Sequence, residues 1–338
     1  MALKTSLLEM LVCPRDHQEL TEEEGSLVCP TGHRYPVVDD VPVLLLDDVR
    51  QTMDLVQSSL KQAGKPQEGL FLESVGLTED EKKGIEDLET NGTLIDPVVS
   101  YLVGATNGIG YKEAIGRLRE YPIPVLPVPP GKGELLLDIG CNWGRWCFAA
   151  VRKGYRPIGL DPSLGAVMAG KRVARQFGYD VQFIVGDGRF LPFRDGVFQH
   201  IFSYSVIQHF SREDARQSFE EAARVLEEGG LSVIQMPNRN GLRCLYHQAR
   251  RGFREGKGFE VRYWSPAALR GLAQSTFGPT RTTVDCFFGL GLKYEDRHLM
   301  APRARYATLA SEALRRVSTV FPPLTLMADS LYLNSVKQ

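Results

Sequence analysis

Long hydrophobic runs are missing from this 338-residue chain. None approaches the roughly 20 apolar residues that a membrane-spanning helix needs. The opening stretch MALKTSLLEMLVCPRDH breaks its short apolar run with an acid and offers no small-residue cleavage site, so it does not read as a secretory leader. Cysteine is scarce, at six residues. In the cytoplasmic, reducing setting expected here, those cysteines are thiols or metal ligands rather than disulfides. No self-similarity recurs at the period of about 20 to 50 residues that marks solenoids. No G-K-[ST] follows a glycine turn, and no complete G-x-G-x-x-G occurs, which excludes a P-loop and the standard dinucleotide fingerprint.

Net charge is also nearly absent, at −1, but it is unevenly spread. Residues 1–50 carry ten acids and four bases, residues 51–130 twelve acids and seven bases, and residues 131–338 nineteen acids and twenty-nine bases. The acidic first part and basic remainder favour contact between the two, or an acidic partner for the basic part. Hydrophobic content of 43% is that of a globular chain with a real core.

What is present divides the chain into three. Residues 1–48 hold CPRDH (13–17), CPTGH (29–33) and the apolar VPVLLL (41–46). Residues 49–130 form a linker and helical lead-in. They contain the linker-like SSLKQAGKPQEG (58–69), an exposed helix at 77–89, and YPIPVLPVPPGKG (121–133), whose five prolines demand extended backbone. From 131 to 338 strand and helix patterns alternate. Strands are expected at 134–139, 156–161, 181–187, 198–205 and 231–237. Helices are expected at 144–153, at 163–178 (capped by Ser163 and stopped by Gly178) and at 211–230 (capped by Ser211 and stopped by Gly229 and Gly230). Two further strands, 282–289 and 329–336, would close the sheet edge. Such alternation means an α/β fold, a parallel sheet covered on both faces.

In open sheets of this kind ligands sit beyond the carboxyl ends of the strands. The turn in LLLDIGCNWGRW (135–146) is therefore the first place to look. Asn142 stands where glycine would be easier. If the position needs positive φ, Asn is the residue that best tolerates it after glycine.

LLLDIGCNWG resembles the first motif of class I S-adenosylmethionine-dependent methyltransferases. GLDPS (159–163), VGDGRFLPFRDGVFQHIFSYSVIQHF (185–210) and ARVLEEGGLSVIQMPN (223–238) resemble the later motifs of the type 11 members, in order. The resemblance covers about 134–288 and implies a Rossmann-like seven-stranded sheet, an enzyme, and S-adenosylmethionine as cofactor. It implies cofactor-binding roles for Asp138, Gly140, Asn142, Gly144, Asp161, Asp187, Gly188 and Ser203. In these, Asp161 accepts the ribose hydroxyls and Asp187 the adenine amino group. His209, after the fourth strand, is the candidate general base, needed only if the acceptor is protonated.

The N-terminal phrase C-P-x-G-H-x-Y-P followed by V-P-V-L resembles the small zinc-ribbon activator subunit of tRNA and release-factor methyltransferases, and the zinc knuckle of 23S rRNA guanine-N1 methyltransferases. Cys13, His17, Cys29 and His33 form a candidate Cys2His2 set for one structural zinc, with Asp16 able to replace His17. The acceptor side is expected in the basic insertion 238–264, with Asn238, Tyr246, His247, Arg262, Tyr263 and Trp264, and in Asn107, Tyr111 and Tyr121 before the first strand. Five Arg and one Lys against one Glu in 239–257 suggest an anionic small molecule, glycan or lipid-linked acceptor, or a solvated helix face. RNA base methylation and a non-catalytic, partner-binding adaptor stay open as alternatives.

Overall fold

The computed structural model describes residues 3–50, 55–64, 69–92, 94–106, 109–289, 291 and 293–338. The N-terminal part contains a helical turn α1 (Thr5–Leu8) and strands β1 (Thr21–Glu23), β2 (Ser26–Val28), β3 (Arg34–Val38) and β4 (Val41–Leu44). The middle part contains helices α2 (Leu55–Ala63), α3 (Glu79–Asn91) and α4 (Pro97–Thr106). Then follow β5 (Leu135–Ile139), α5 (Arg145–Arg152), β6 (Arg156–Asp161), α6 (Leu164–Phe177), β7 (Gln182–Gly186), β8 (Phe198–Ser203), α7 (Arg212–Val225), β9 (Leu226–Pro237), α8 (Leu242–Arg250), α9 (Pro266–Thr276), β10 (Thr280–Cys286), α10 (Pro302–Val320) and β11 (Ser330–Val336).

The alternation produces the parallel sheet it implied. Strands β7, β6, β5, β8 and β9 run parallel, and β11 and β10 close that end antiparallel. At the other end β4 pairs in parallel with β7, Val43 opposite Val185. The N-terminal strands are thus not a separate body in front of a seven-stranded sheet. They continue it to eleven strands, in the order β1-β2-β3-β4-β7-β6-β5-β8-β9-β11-β10. Leu7, Leu11, Leu27 and Leu44 share one buried cluster with Ile184, Leu191 and Phe193 of the sheet. The expected contact between the acidic and basic parts is real, and it is made by apolar burial as well as by charge, with Lys171 and Arg175 reaching Asp39.

Local signals hold where capping decides. Ser163 accepts from the Ala166 N–H and Gly178 ends α6 in the left-handed region. Ser211 caps α7 through the Asp214 N–H. Two expectations change. Helix α7 ends at Val225 rather than at the Gly229-Gly230 pair, because Leu226 already pairs with Phe198 in the sheet. The stretch at 58–69, read as linker, begins as helix α2. Its Ser59 hydroxyl donates to Pro162 O at 2.7 Å and accepts from Leu164 N, fixing the helix over the end of β6. The proline-rich lead-in remains without helix or strand, and its carbonyls at Pro122, Leu126 and Pro129 accept from Arg145, Lys153 and Tyr155.

Candidate functional site

A cavity of about 410 Å³ opens beyond the carboxyl ends of β5, β6 and β8. That is the size range of small-molecule sites and the place the sheet topology predicts. Gly140, Asn142, Asp161, Asp187, Gly188 and His209 line it. Asp138, Gly144 and Ser203 do not. Asp138 is buried behind the turn, Gly144 packs where a Cβ would lie 2.8 Å from the Phe183 ring, and Ser203 donates to Ile139 O at 3.0 Å inside the sheet.

The turn after β5 is held by its own hydrogen bonds. The N–H groups of Gly140 and Cys141 both donate to Leu160 O. Gly140 has φ +76°, and a Cβ there would collide with Val206. Its lack of a side chain therefore serves packing as well as conformation, and its N–H is not free for a ligand. Asn142 has φ +50°, which answers why Asn stands there. Its N–H donates to Asp161 Oδ2 at 2.9 Å, and the second Asp161 oxygen accepts from Ser163 N. Burial pushes the Asp161 carboxyl up to about 6, against the pull of those two N–H groups. Burial likewise carries Asp138 up to about 7, with Cys147 the counteracting donor. One oxygen each of Asp138 and Asn142 is buried without a protein partner.

Asp187 is engaged more fully than its expected role requires. Both its oxygens accept from Arg189, which also reaches Asp214 and the carbonyl of Arg50. His209 lies flat against Phe259, ring centroids 3.8 Å apart. Its Nδ1 lies 2.7 Å from Phe259 O, which can only accept, so Nδ1 carries the proton. Nε2 then accepts from Gln208 at 3.1 Å. Burial depresses His209 to about 4, so the ring is neutral at pH 7.

Sequence reasoning missed much of the remaining wall. Leu55, Val56, Val75 and Gly76 come from the lead-in, Arg145 and Trp146 from the first turn of α5, and Tyr204 from just past the end of β8. Arg145 is buried and pairs with Asp296, with Tyr111 bonded to both. Beside it, Lys293 pairs with buried Asp285 and points its ammonium at Trp146, Tyr204 and Tyr332. No local pattern could reveal the first pair, because Asp296 lies 151 residues from Arg145. The expected acceptor residues stand elsewhere. Tyr121 bonds Gln176 and the Asp96 N–H, Asn238 bonds two carbonyls near 326–328, Trp264 is core, and Tyr246 and His247 lie on the outer helix α8. Arg262 donates to carbonyls at 209, 258 and 260 and Tyr263 lies under Arg251; Asn107 lies outside the described residues.

At the N-terminus, Cys13, Asp16, Cys29 and His33 converge so that one ligand atom of each lies within 4.8 Å of the others. His17 is not among them. It follows the CPRD turn in the left-handed region at φ +57° and is exposed, whereas Asp16 points inward. The candidate fourth ligand is therefore Asp16. Cys13 Sγ and Cys29 Sγ stand 3.5 and 3.3 Å from His33 Nδ1, and Cys29 Sγ 3.9 Å from Asp16. A tetrahedral zinc with Zn–S about 2.3 Å and Zn–N about 2.0 Å places S and N about 3.5 Å apart. The donor set and its spacing fit such an ion.

Residues 136–230 match the family model described as "Methyltransferase domain", and residues 4–40 the model described as "Trm112p-like protein". The chain is 38% identical over 103 residues to "Probable tRNA methyltransferase 9B" of Bos taurus, a match covering 30% of this chain and 21% of that one. It is 28% identical over 141 residues to ajmaline N-methyltransferase of Rauvolfia serpentina, covering 40% and 48%. The chain thus spans from about a fifth to a half of the length of these relatives. Among solved structures, the YcgJ protein of Bacillus subtilis aligns over 61% of this chain and 90% of its own, at 19% identity and a TM-score of 0.39.

Proposed function

We propose that this chain, whose residues 136–230 match a methyltransferase-domain model, is a class I S-adenosylmethionine-dependent methyltransferase and transfers a methyl group to an acceptor that is not recognised by charge inside the cavity. The observation carrying the cofactor assignment is Asp161. It is a cavity-lining carboxylate held by the N–H groups of Asn142 and Ser163. Its free lone pairs suit a ribose diol. The buried, unpartnered side-chain oxygen of Asn142, which lines the cavity, fits an ammonium such as the cofactor's. Asp187, already clamped by Arg189, presents at most one remaining lone pair to an adenine amino group. When bound, the cofactor supplies an electrophilic methyl on a sulfonium. The chain's own residues bind, orient and exclude water, and positioning alone is worth up to about 7–11 kcal/mol.

The acceptor reading rests on the two arginines of the wall. Arg145 is neutralised by Asp296, and Arg189 by Asp187 and Asp214. Among the described residues, an anionic group entering there would meet no uncommitted cation on the wall. It would meet Trp146, Tyr204, Val206 and Phe259, which favours an uncharged, aromatic or aliphatic acceptor portion. His209, neutral and with both ring nitrogens engaged, shapes this wall; removing a proton would require Gln208 to release Nε2. The Cys13, Asp16, Cys29 and His33 cluster holds a structural zinc in this reading, with no position left open for chemistry.

A second reading, methyl transfer to RNA, draws on the likeness to the tRNA methyltransferase relative. Calorimetry with S-adenosylmethionine should give one site per chain, and no binding would overturn the enzyme reading. Incubating the protein and methyl-labelled cofactor with cell extract should leave label in the solvent-extractable pool. Label confined to RNA would favour the second reading.

A further inference from the structure

Helix α10 turns small or polar side chains, with Leu314, toward the core. A surface helix ordinarily turns its apolar stripe inward. Here the buried positions are Thr308, Ser311 and Ser318. Their hydroxyls are bound to Ala304 O, Phe287 N and Arg315 O. The outward face carries Tyr306, Leu309, Val317 and Val320, at the spacing of one helical stripe, with Tyr306 74% and Val320 83% exposed. Phe321, Leu326 and Met327 extend the exposed apolar surface beyond the helix end. That segment abuts the start of α8, where Asn238 donates to Leu326 O and Ala328 O and Cys244 N donates to Asp329. Helix α8 adds exposed Leu242, Leu245 and Tyr246.

Charge accompanies the apolar surface and is nearly of one sign. Residues 239–254 hold five arginines and no acid. Residues 302–327 hold four arginines and one acid, Glu312, which is spent on Arg315 and Arg316. Monomeric proteins rarely leave so large an apolar surface open without a use.

We infer that the α8–α10 face docks on an anionic lipid bilayer. Two features select this occupant. A basic helix face with leucine, valine and aromatic side chains standing out of it is the pattern of an interfacial helix, whose apolar side chains enter the headgroup boundary while arginines meet anionic lipids. Nucleic acid would engage the arginines and stack on Tyr246, but it gives no burial to Leu309, Val317, Val320 or Met327. The same insertion that carries α8 leads on to Phe259, which both lines the cavity and is exposed, so docking would bring the cavity mouth close to the bilayer. The inference does not depend on which acceptor is methylated.

Sedimentation of the full chain with vesicles tests it. Vesicles of phosphatidylcholine containing about a third phosphatidylglycerol should carry the protein down, and pure phosphatidylcholine vesicles should not. Rising salt should weaken the binding without abolishing it, since the apolar contacts persist. Two double variants, Val320→Asp with Phe321→Asp, and Arg243→Glu with Arg250→Glu, should each reduce partitioning by about tenfold or more. Both should keep the wild-type melting temperature, because neither removes a buried contact. Failure of the wild type to sediment with the anionic vesicles, or undiminished sedimentation of both variants, would overturn the inference. So would a monomer–dimer equilibrium abolished by the first variant, which assigns the face to a second copy, or RNA binding at physiological salt lost in the second variant without any vesicle binding.

Discussion

The N-terminal module and the methyltransferase sheet use different means to hold their functional side chains. The module is small, and its buried leucines share one cluster with Ile184 of β7 and with Leu191 and Phe193. Its two CP turns are brought together around a cluster of metal-type ligands. Fewer than about 50 residues seldom make a sufficient core without a metal or a partner, and this module leans on the sheet and carries a cluster of metal-type ligands. The sheet carries two extensive cores on its faces, each taking in residues of the module as well. It can therefore keep unfavourable groups in its interior: two carboxyls raised by burial and, among the described residues, the buried ion pairs Arg145–Asp296, Lys293–Asp285 and Arg189–Asp187. One region spends its interactions on being folded, and the other has enough stability to hold strained chemistry.

The largest effect expected is on the module. Structural zinc contributes about 10–16 kcal/mol in small metallo-domains. Metal analysis should give one zinc per chain, and Cys29→Ser should lose it. Chelation should melt the module in a separate, earlier transition while calorimetry still shows cofactor binding. A single transition that also removes cofactor binding would merge the two regions into one cooperative unit. The next effect is on the sheet. Arg145→Met strands Asp296 in the interior and should lower stability by about 3–5 kcal/mol, read by chemical denaturation. Arg145→Met combined with Asp296→Leu should recover most of that loss; if it does not, the pair has a role beyond mutual neutralisation.

Smaller effects separate binding from folding. Asp161→Ala should weaken S-adenosylmethionine binding by about 1.5–3 kcal/mol, a lost hydrogen bond to a charged group. Equal calorimetric affinity of variant and wild type would remove the ribose role from Asp161. Smallest is the pH effect. With its carboxyl near 6, Asp161 is ionised at pH 7 and mostly protonated at pH 5, so affinity should fall about tenfold across that interval. Folding responds oppositely. A carboxyl raised from 3.8 to about 6 binds its proton more tightly in the folded state, so this group lowers stability as pH rises through that window. Loss of affinity at pH 5 therefore cannot be assigned to unfolding caused by Asp161. A flat affinity profile would show that its lone pairs face no ligand donor.

The same contrast explains what could be read from the sequence. Strands β5 to β9, the Ser163 and Ser211 caps and the left-handed Asn142 were legible because each depends on a short window of periodicity or backbone preference. Asp161 was legible because it ends a strand beside the turn it braces. His17 was mistaken for a cluster residue because spacing counts residues and takes no account of turn direction; the CPRDH turn sends Asp16 inward. Ser203 was placed at the right strand end but on the wrong side of the pleat. Asp296 was invisible because its partners Arg145 and Tyr111 lie far away in sequence, Asp285 and Lys293 because the burial of their pair beside Trp146 and Tyr204 is a tertiary fact, and helix α2 was masked by the linker-like composition that follows it. The arginines of 239–257 were visible as a cluster, but their direction, outward rather than into the cavity, is a tertiary fact.

Strand β4 has one more consequence. Without it, β7 would be a bare lateral margin of the parallel sheet. Its backbone donors and acceptors, beside side chains as apolar as Ile184 and Val185, would invite pairing with any extended chain in reach. By lying along Val185 and Gly186, the N-terminal module occupies that margin within the same molecule. A chain whose module has been loosened should therefore be prone to self-association through β7, and its tendency to aggregate should follow the state of the module rather than that of the cavity beyond β5, β6 and β8.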